Sequence, residues 1–342
     1  MKLSVAMVTY NHERFIGQAI ESILGQEVNF DYEIVIGEDC STDGTRAIVA
    51  DFARRFPGRI VVLWRKRNLG AMRNAAGTYA ACNGQYVAVL QGDDYWTSKD
   101  KLQKQVNFLD SHPEWAICCS RAQVKNETDV PSSSVRAQTG TIYPARPGNT
   151  PIDEHDVSGL LPVLPRAAGT YTLRDLLEGN FIPTCTVMYR WEGSGPRFPS
   201  WLSRSKIGDL PRHAIVVGSK KIELFDECTA TYRIHRQGMW SSKDRESQIR
   251  ECTDTLAALN RYLGFPFDNL LGPQVAQSYL DLAANARSKR NRARTGQYLL
   301  SCIRNGGLRL GVSPRTFLGL AAYTLIGSGY RLFSRAKAAN GS

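Results

Sequence analysis

Acidic residues stop at Asp281. Beyond it the chain has eleven Lys and Arg and no Asp or Glu, so the whole net charge of +11 belongs to the last 61 residues, and the 32 acidic groups before that point are balanced by 32 basic ones. The body of the protein is therefore neutral by count, and the excess is a property of a tail containing Arg287, Lys289, Arg290, Arg292, Arg294, Arg304, Arg309, Arg315, Arg331, Arg335 and Lys337. That tail lacks the interleaved aromatics of a base-stacking surface. No helix-turn-helix, zinc-finger pattern or internal repeat accompanies it, which argues against a nucleic-acid partner. The chain also has no Cys-x-x-Cys pair or Cys/His cluster. Its eight cysteines, Cys40, Cys82, Cys118, Cys119, Cys185, Cys228, Cys252 and Cys302, are spaced for neither a structural zinc nor a disulfide framework, and a reduced compartment is expected. Met1-Lys2 leads straight into a strand of about seven residues, too short and wrongly flanked for a signal peptide. In the tail, the uncharged stretch 316–330 falls short of the roughly 20 residues that cross a bilayer, and Gly319, Gly327 and Gly329 interrupt it.

The first hundred residues are rich in one pattern. Short apolar runs at Leu3–Thr9, Glu33–Gly37, Ile60–Trp64 and Tyr86–Leu90 read as strands. Helical periodicity fills the intervals over Arg14–Gly25, Thr42–Phe56, which is stopped by Pro57-Gly58, and Ala71–Cys82. Such alternation predicts a mostly parallel, doubly covered α/β sheet with right-handed crossovers, whose ligands bind beyond the carboxyl ends of the strands. Three polar clusters fall at those ends: Thr9-Tyr10-Asn11, Glu38 to Asp43, and Gln91-Gly92-Asp93-Asp94-Tyr95-Trp96. Two adjacent carboxylates at the end of a buried strand stabilise little and hold a cation well. Mg²⁺ and Mn²⁺ take oxygen ligands and commonly keep substrate phosphates in their shell, so a metal-bound diphosphate is the expected ligand.

Four segments, Met7 to His12, Glu38 to Thr45, Asn68-Leu69-Gly70 with Arg73-Asn74, and Gly92-Asp93-Asp94-Tyr95-Trp96, resemble in their order and spacing the family 2 glycosyltransferases of GT-A fold. The resemblance is to bacterial members with the Gly-Asp-Asp-Tyr-Trp variant before a Lys-Leu-Gln-Lys-Gln helix, here Lys101 to Gln105. It implies inverting transfer of a sugar from a nucleoside diphosphate sugar, UDP-sugars favoured, to a hydroxyl acceptor with Mn²⁺ or Mg²⁺. By the same resemblance Thr9, Tyr10, Asn11 and Asp39 hold the nucleoside, Arg73 faces the diphosphate, Asp93 touches the ribose or a metal-bound water, and Thr184, in Asn180 to Thr186, lines the donor-sugar pocket. Asp94 and His235 are the expected metal ligands, Asp209 the general base, and Trp96 and Trp240 the acceptor-side aromatics. Two departures stand out: Gln91 occupies a position that is acidic in many relatives, and Gly208 precedes the base. A sugar nucleotidyltransferase is disfavoured, because no glycine precedes Gly17 to build a triphosphate loop. A catalytically silent polysaccharide- or membrane-binding adaptor would have no reason to keep Asp39, Asp93, Asp94 and Asp209.

Residues 126–170 gather Ser132 to Ser134 and prolines 131, 144, 147, 151, 162 and 165, the composition of a long loop. The expected organisation is a nucleotide-sugar half over 1–125, this loop, an acceptor-side half over 171–242, and a helical basic extension over 243–342. Basic residues around an apolar stretch suit an anionic membrane interface through residues 287–337, with a packed terminal helix as the alternative. A cytoplasmic enzyme is expected, held at the inner face of the cytoplasmic membrane where the tail meets lipid, acting on a saccharide or lipid-linked saccharide in surface polysaccharide assembly.

Overall fold

The computed structural model describes residues 1–127, 160–162, 166–191, 195, 198–238, 245–264, 267–305 and 316–324. Most of the 126–170 segment, Trp240 and the tail after residue 324 lie outside these. Two compact units divide between Ser242 and Lys243.

The first unit begins as the sequence pattern dictates: β1 (Leu3–Thr9), α1 (Ile16–Leu24), β2 (Tyr32–Glu38), α2 (Thr45–Arg55), β3 (Ile60–Trp64), α3 (Ala71–Tyr79) and β4 (Tyr86–Val89). Every residue of β2 is buried, as is all of β1 except Val8, because helices cover both faces. Ile16, Ala19, Ile20 and Ile23 recur on one side of α1 and are fully buried, each aliphatic worth about 1.5–3 kcal/mol in transfer terms. There follow β5 (Tyr95–Trp96), α4 (Lys101–Ser111), β6 (Trp115–Asn126), β7 (Leu160–Pro162), β8 (Gly169–Tyr171), α5 (Leu173–Glu178), β9 (Met188–Arg190), α6 (Asp209–Val217) and β10 (Lys221–Ile234). The sheet order is β3-β2-β1-β4-β9-β6-β10-β5, with β7 on β6 and β8 on β10. Strands β3, β2, β1 and β4 are mutually parallel, β9 runs antiparallel to β4 and β6, and β10 is again parallel to β6. The carboxyl ends of β1, β2, β4 and β10 thus open toward one edge of the unit.

The second unit is helical: α7 (Arg245–Tyr262), α8 (Asp268–Ser288), α9 (Arg292–Arg304) and residues 316–324. Glu246 gathers Lys289 at 2.7 Å and Arg294 at 3.4 Å, which neutralises part of the basic excess locally. The apolar tail is partly packed. Leu320 is 2% exposed and Tyr323 lies beneath the guanidinium groups of Arg287 and Arg292, whereas Leu318 is 66% exposed. Among the described residues no helix is long and apolar enough to cross a membrane.

Candidate active site

Backbone hydrogen bonds fix the strand-end loops to one another. Asp39 N–H donates to the Thr9 carbonyl at 3.0 Å, and Gly92 N–H to that of Val8 at 3.0 Å. Glycine is required at 92 because a Cβ there would meet Thr9 Oγ1 at 2.7 Å and His12 Nδ1 at 3.0 Å. Asn11 takes a left-handed backbone, φ 55°, a conformation Asn tolerates. Its N–H donates to Ser41 Oγ and its side-chain oxygen accepts from Thr42 N–H, so it clips the β1 loop to the β2 loop. The His12 carbonyl then accepts the N–H groups of Phe15 and Ile16, which start α1 and set the direction of the imidazole.

That imidazole completes a cluster that the sequence reading missed. His12, Asp93 and His235 offer ligand atoms all within 4.8 Å of one another. Asp93 Oδ2 lies 3.1 Å from His235 Nε2 and 3.7 Å from His12 Nε2. Burial pushes the Asp93 carboxyl up, but His12 and His235 outweigh it and bring it down to about 2. The signal for His12 was present in its place directly after β1, yet only the fold shows that β10 carries His235 to meet it.

Asp94, expected in the metal shell, is not among the three residues of that cluster. It is 1% exposed, and its Oδ1 accepts from Arg233 N–H at 2.9 Å. Burial and then the Asp93 charge push its carboxyl well above the usual range, against the pull of Arg233. Arg233 is the second residue that sequence reasoning left without a role. It donates to the Asp93 carbonyl at 2.6 Å, pairs with Glu127 at 3.3 Å, reaches Gln18, and lies over the rings of Tyr95 and Phe15. It thereby ties the carboxylate turn to β10. Asp94→Asn keeps an oxygen for the Arg233 N–H and removes a buried charge beside Asp93. Its melting temperature at pH 7 should equal or exceed wild type, with Mn²⁺ affinity within a few-fold; loss of Mn²⁺ binding would return Asp94 to the shell.

On the far side, Asp209 is the first residue of α6 and half-buried, and Thr184 Oγ1 donates to its Oδ2 at 3.4 Å. Burial, and after it the charges of Asp94, Asp93, Cys185 and Asp209, push the Tyr232 hydroxyl well above its ordinary range. Of the other expected contacts, Asp39 is 2% exposed and accepts from Leu69 and Gly70 N–H at 2.8 and 2.9 Å, holding the loop before α3. Thr9 is buried with Oγ1 lacking a partner among the described residues, Tyr10 is 40% exposed at the rim, and Arg73 is exposed on α3. Trp96 is corrected: it is 5% exposed, packed in the main core, and its indole N–H donates to the Cys185 carbonyl at 2.7 Å, leaving no face for a sugar. Trp240 lies outside the described residues.

Residues 4–167 match the sequence model described as glycosyl transferase family 2. The uncharacterized protein Rv1520 of Mycobacterium tuberculosis is 31% identical over 241 residues, 70% of this chain and 61% of that protein. The chain thus spans about three fifths of that relative's length. TuaG of Bacillus subtilis, named as a teichuronic acid biosynthesis glycosyltransferase, is 28% identical over 246 residues, 70% of this chain and 82% of TuaG. The crystal structure of Staphylococcus aureus TarS 1–349 in complex with UDP-GlcNAc superposes with a TM-score of 0.52 at 18% identity, covering 89% of each chain, a likeness of fold. With strand-end loops built around an acidic turn on a sheet of GT-A type, residues 4–167, a little under half of the chain, are similar to the family 2 glycosyltransferases.

Proposed function

We propose that this chain transfers a sugar from a nucleoside diphosphate sugar, UDP-linked by preference, to a hydroxyl acceptor with inversion at the anomeric carbon. The observation that carries the reading is the Asp93, His12 and His235 cluster at the carboxyl ends of three strands. The donor set suits a divalent ion: one carboxylate and two imidazoles, with His12 Nδ1 buried and without a partner among the described residues. Two imidazoles and a carboxylate suit Mn²⁺ better than the harder Mg²⁺, and His12, Asp93 and His235 would hold such an ion together with oxygens of the donor diphosphate. When bound, the ion supplies Lewis-acid stabilisation of charge on the leaving diphosphate. The chain's own residues do the rest. Thr9, Tyr10, Asn11 and Asp39 define the nucleoside end, with Asp39 keeping lone pairs for the base after holding the 69–70 loop. Arg73 faces the diphosphate, and Thr184 lines the sugar. Asp209 takes the acceptor's proton as its oxygen attacks opposite the leaving group, which inverts the anomeric carbon. A panel of UDP-, GDP- and dTDP-sugars tests this directly: nucleoside diphosphate release should depend on Mn²⁺ and stop with EDTA for one nucleotide class. Release from none of them, with or without an added saccharide acceptor, would favour a silent adaptor.

The acceptor we assign is a lipid-linked saccharide of surface polysaccharide assembly, which the name of TuaG supports. The basic tail fits it, since each Lys or Arg near an anionic surface contributes about 1 kcal/mol, screened by salt. Full-length protein should co-sediment with phosphatidylglycerol vesicles at low salt and dissociate at high salt. Arg290→Glu with Arg304→Glu, both exposed, should weaken it. Protein that stays in the supernatant at low salt would leave the tail as packing alone.

A further inference from the structure

Lys101 opens α4 and is 1% exposed, with no ion pair to a carboxylate among the described residues. Burial brings its ammonium down to about 7, while the neighbouring Cys118, Cys119 and Cys185 thiols are themselves pushed up by burial. A lone buried lysine of this kind costs stability, so its contacts call for a reason. Lys101 Nζ donates to Gln105 Oε1 at 2.6 Å and lies 4.3 Å from the centroid of the Trp96 ring. An ammonium only donates, so it forces the Gln105 amide to present its oxygen to Lys101 and its NH₂ to the other side. There Gln105 Nε2 donates to the Thr186 carbonyl at 2.9 Å, and Trp96 Nε1 to the Cys185 carbonyl at 2.7 Å. Lys101 therefore touches both side chains that hold two consecutive carbonyls of one turn. Thr186 Oγ1 closes that turn by donating to the Pro183 carbonyl at 2.9 Å, and Thr184 projects from it to Asp209.

We infer that Lys101, Gln105 and Trp96 form a buried brace that positions the 183–186 turn, and through Thr184 the carboxylate of Asp209, to take the acceptor's proton as the acceptor oxygen attacks the donor sugar. These are positioning residues, and the inference rests on the assignment of Asp209 as base. Misplacement of a reacting group by about 1 Å can cost on the order of 10²-fold in rate.

The test compares Lys101→Met, Gln105→Leu and Trp96→Phe with Asp209→Asn, using the nucleotide sugar that wild type turns over fastest. Lys101→Met removes the donor and keeps the volume, so its melting temperature at pH 7 should hold or rise, since an apolar isostere replaces a desolvated ammonium. Its kcat should nevertheless fall by about tenfold or more, with donor KM and Mn²⁺ affinity nearly unchanged. Gln105→Leu and Trp96→Phe should show the same split between kcat and KM. A residue that serves only packing would lower the melting temperature or leave kcat alone, and either result in all three variants, alongside an impaired Asp209→Asn, overturns the brace. Unchanged kcat in Asp209→Asn instead overturns the base assignment, and the positioning of that residue with it.

Discussion

Asp209→Asn is expected to lower kcat by a factor on the order of 10² to 10⁴, the range for loss of a general base, while affinity for the nucleotide sugar persists. An acceptor hydroxyl is a weak nucleophile until its proton has somewhere to go. Asp209 is half-buried at the start of α6, with one oxygen accepting from Thr184. Asn can keep the Thr184 contact and the helix start, so the fold should survive. Steady-state kinetics with donor titration separates the effects. Donor KM rising in step with the loss of kcat would make Asp209 a donor ligand.

Asp93→Asn should act at the opposite end of the reaction and abolish Mn²⁺-dependent donor binding. Loss of a direct ligand should exceed the roughly 10–100-fold in metal affinity that follows loss of an outer partner. The variant also carries a pH signature in metal-free protein. The Asp93 carboxyl is lowered from 3.8 to about 2 in the fold. Its ionised form therefore stabilises the native state above the unfolded value, and that contribution is lost as pH falls toward 2. Asp93→Asn should be somewhat less stable than wild type at neutral pH, with a flatter decline through the acid range. Equal acid unfolding curves would show that the imidazoles do not stabilise this carboxylate.

The strands, the helices and the grouping of three loops were legible because each depends on local pattern: apolar runs of strand length, helical spacing in Ile16, Ala19, Ile20 and Ile23, and polar residues where each strand ends. What could not be read was the partner of each carboxylate. Asp93 and Asp94 are adjacent in sequence and alike in chemistry. Which of them faces His12 and His235 depends on the turn that Gly92 permits and on Arg233, some 140 residues away, capping Asp94. Trp96 misled for the same reason, since an aromatic after an acidic turn looks the same in sequence whether it faces solvent or the core. Only the pairing of β5 with β10 in the sheet, and the Cys185 carbonyl waiting there, turns it inward. Lys101 was similarly opaque, because a lysine at a helix start ordinarily stays in water.

The central claim is that a divalent ion at the Asp93 cluster holds the diphosphate of the donor. Calorimetric titration of UDP, GDP and dTDP into wild type, with and without Mn²⁺, tests it most directly. One nucleotide should bind in the presence of Mn²⁺ and weaken sharply without it, and Asp93→Asn should lose that difference. Binding of equal strength with and without Mn²⁺, unaltered in Asp93→Asn, would contradict the account.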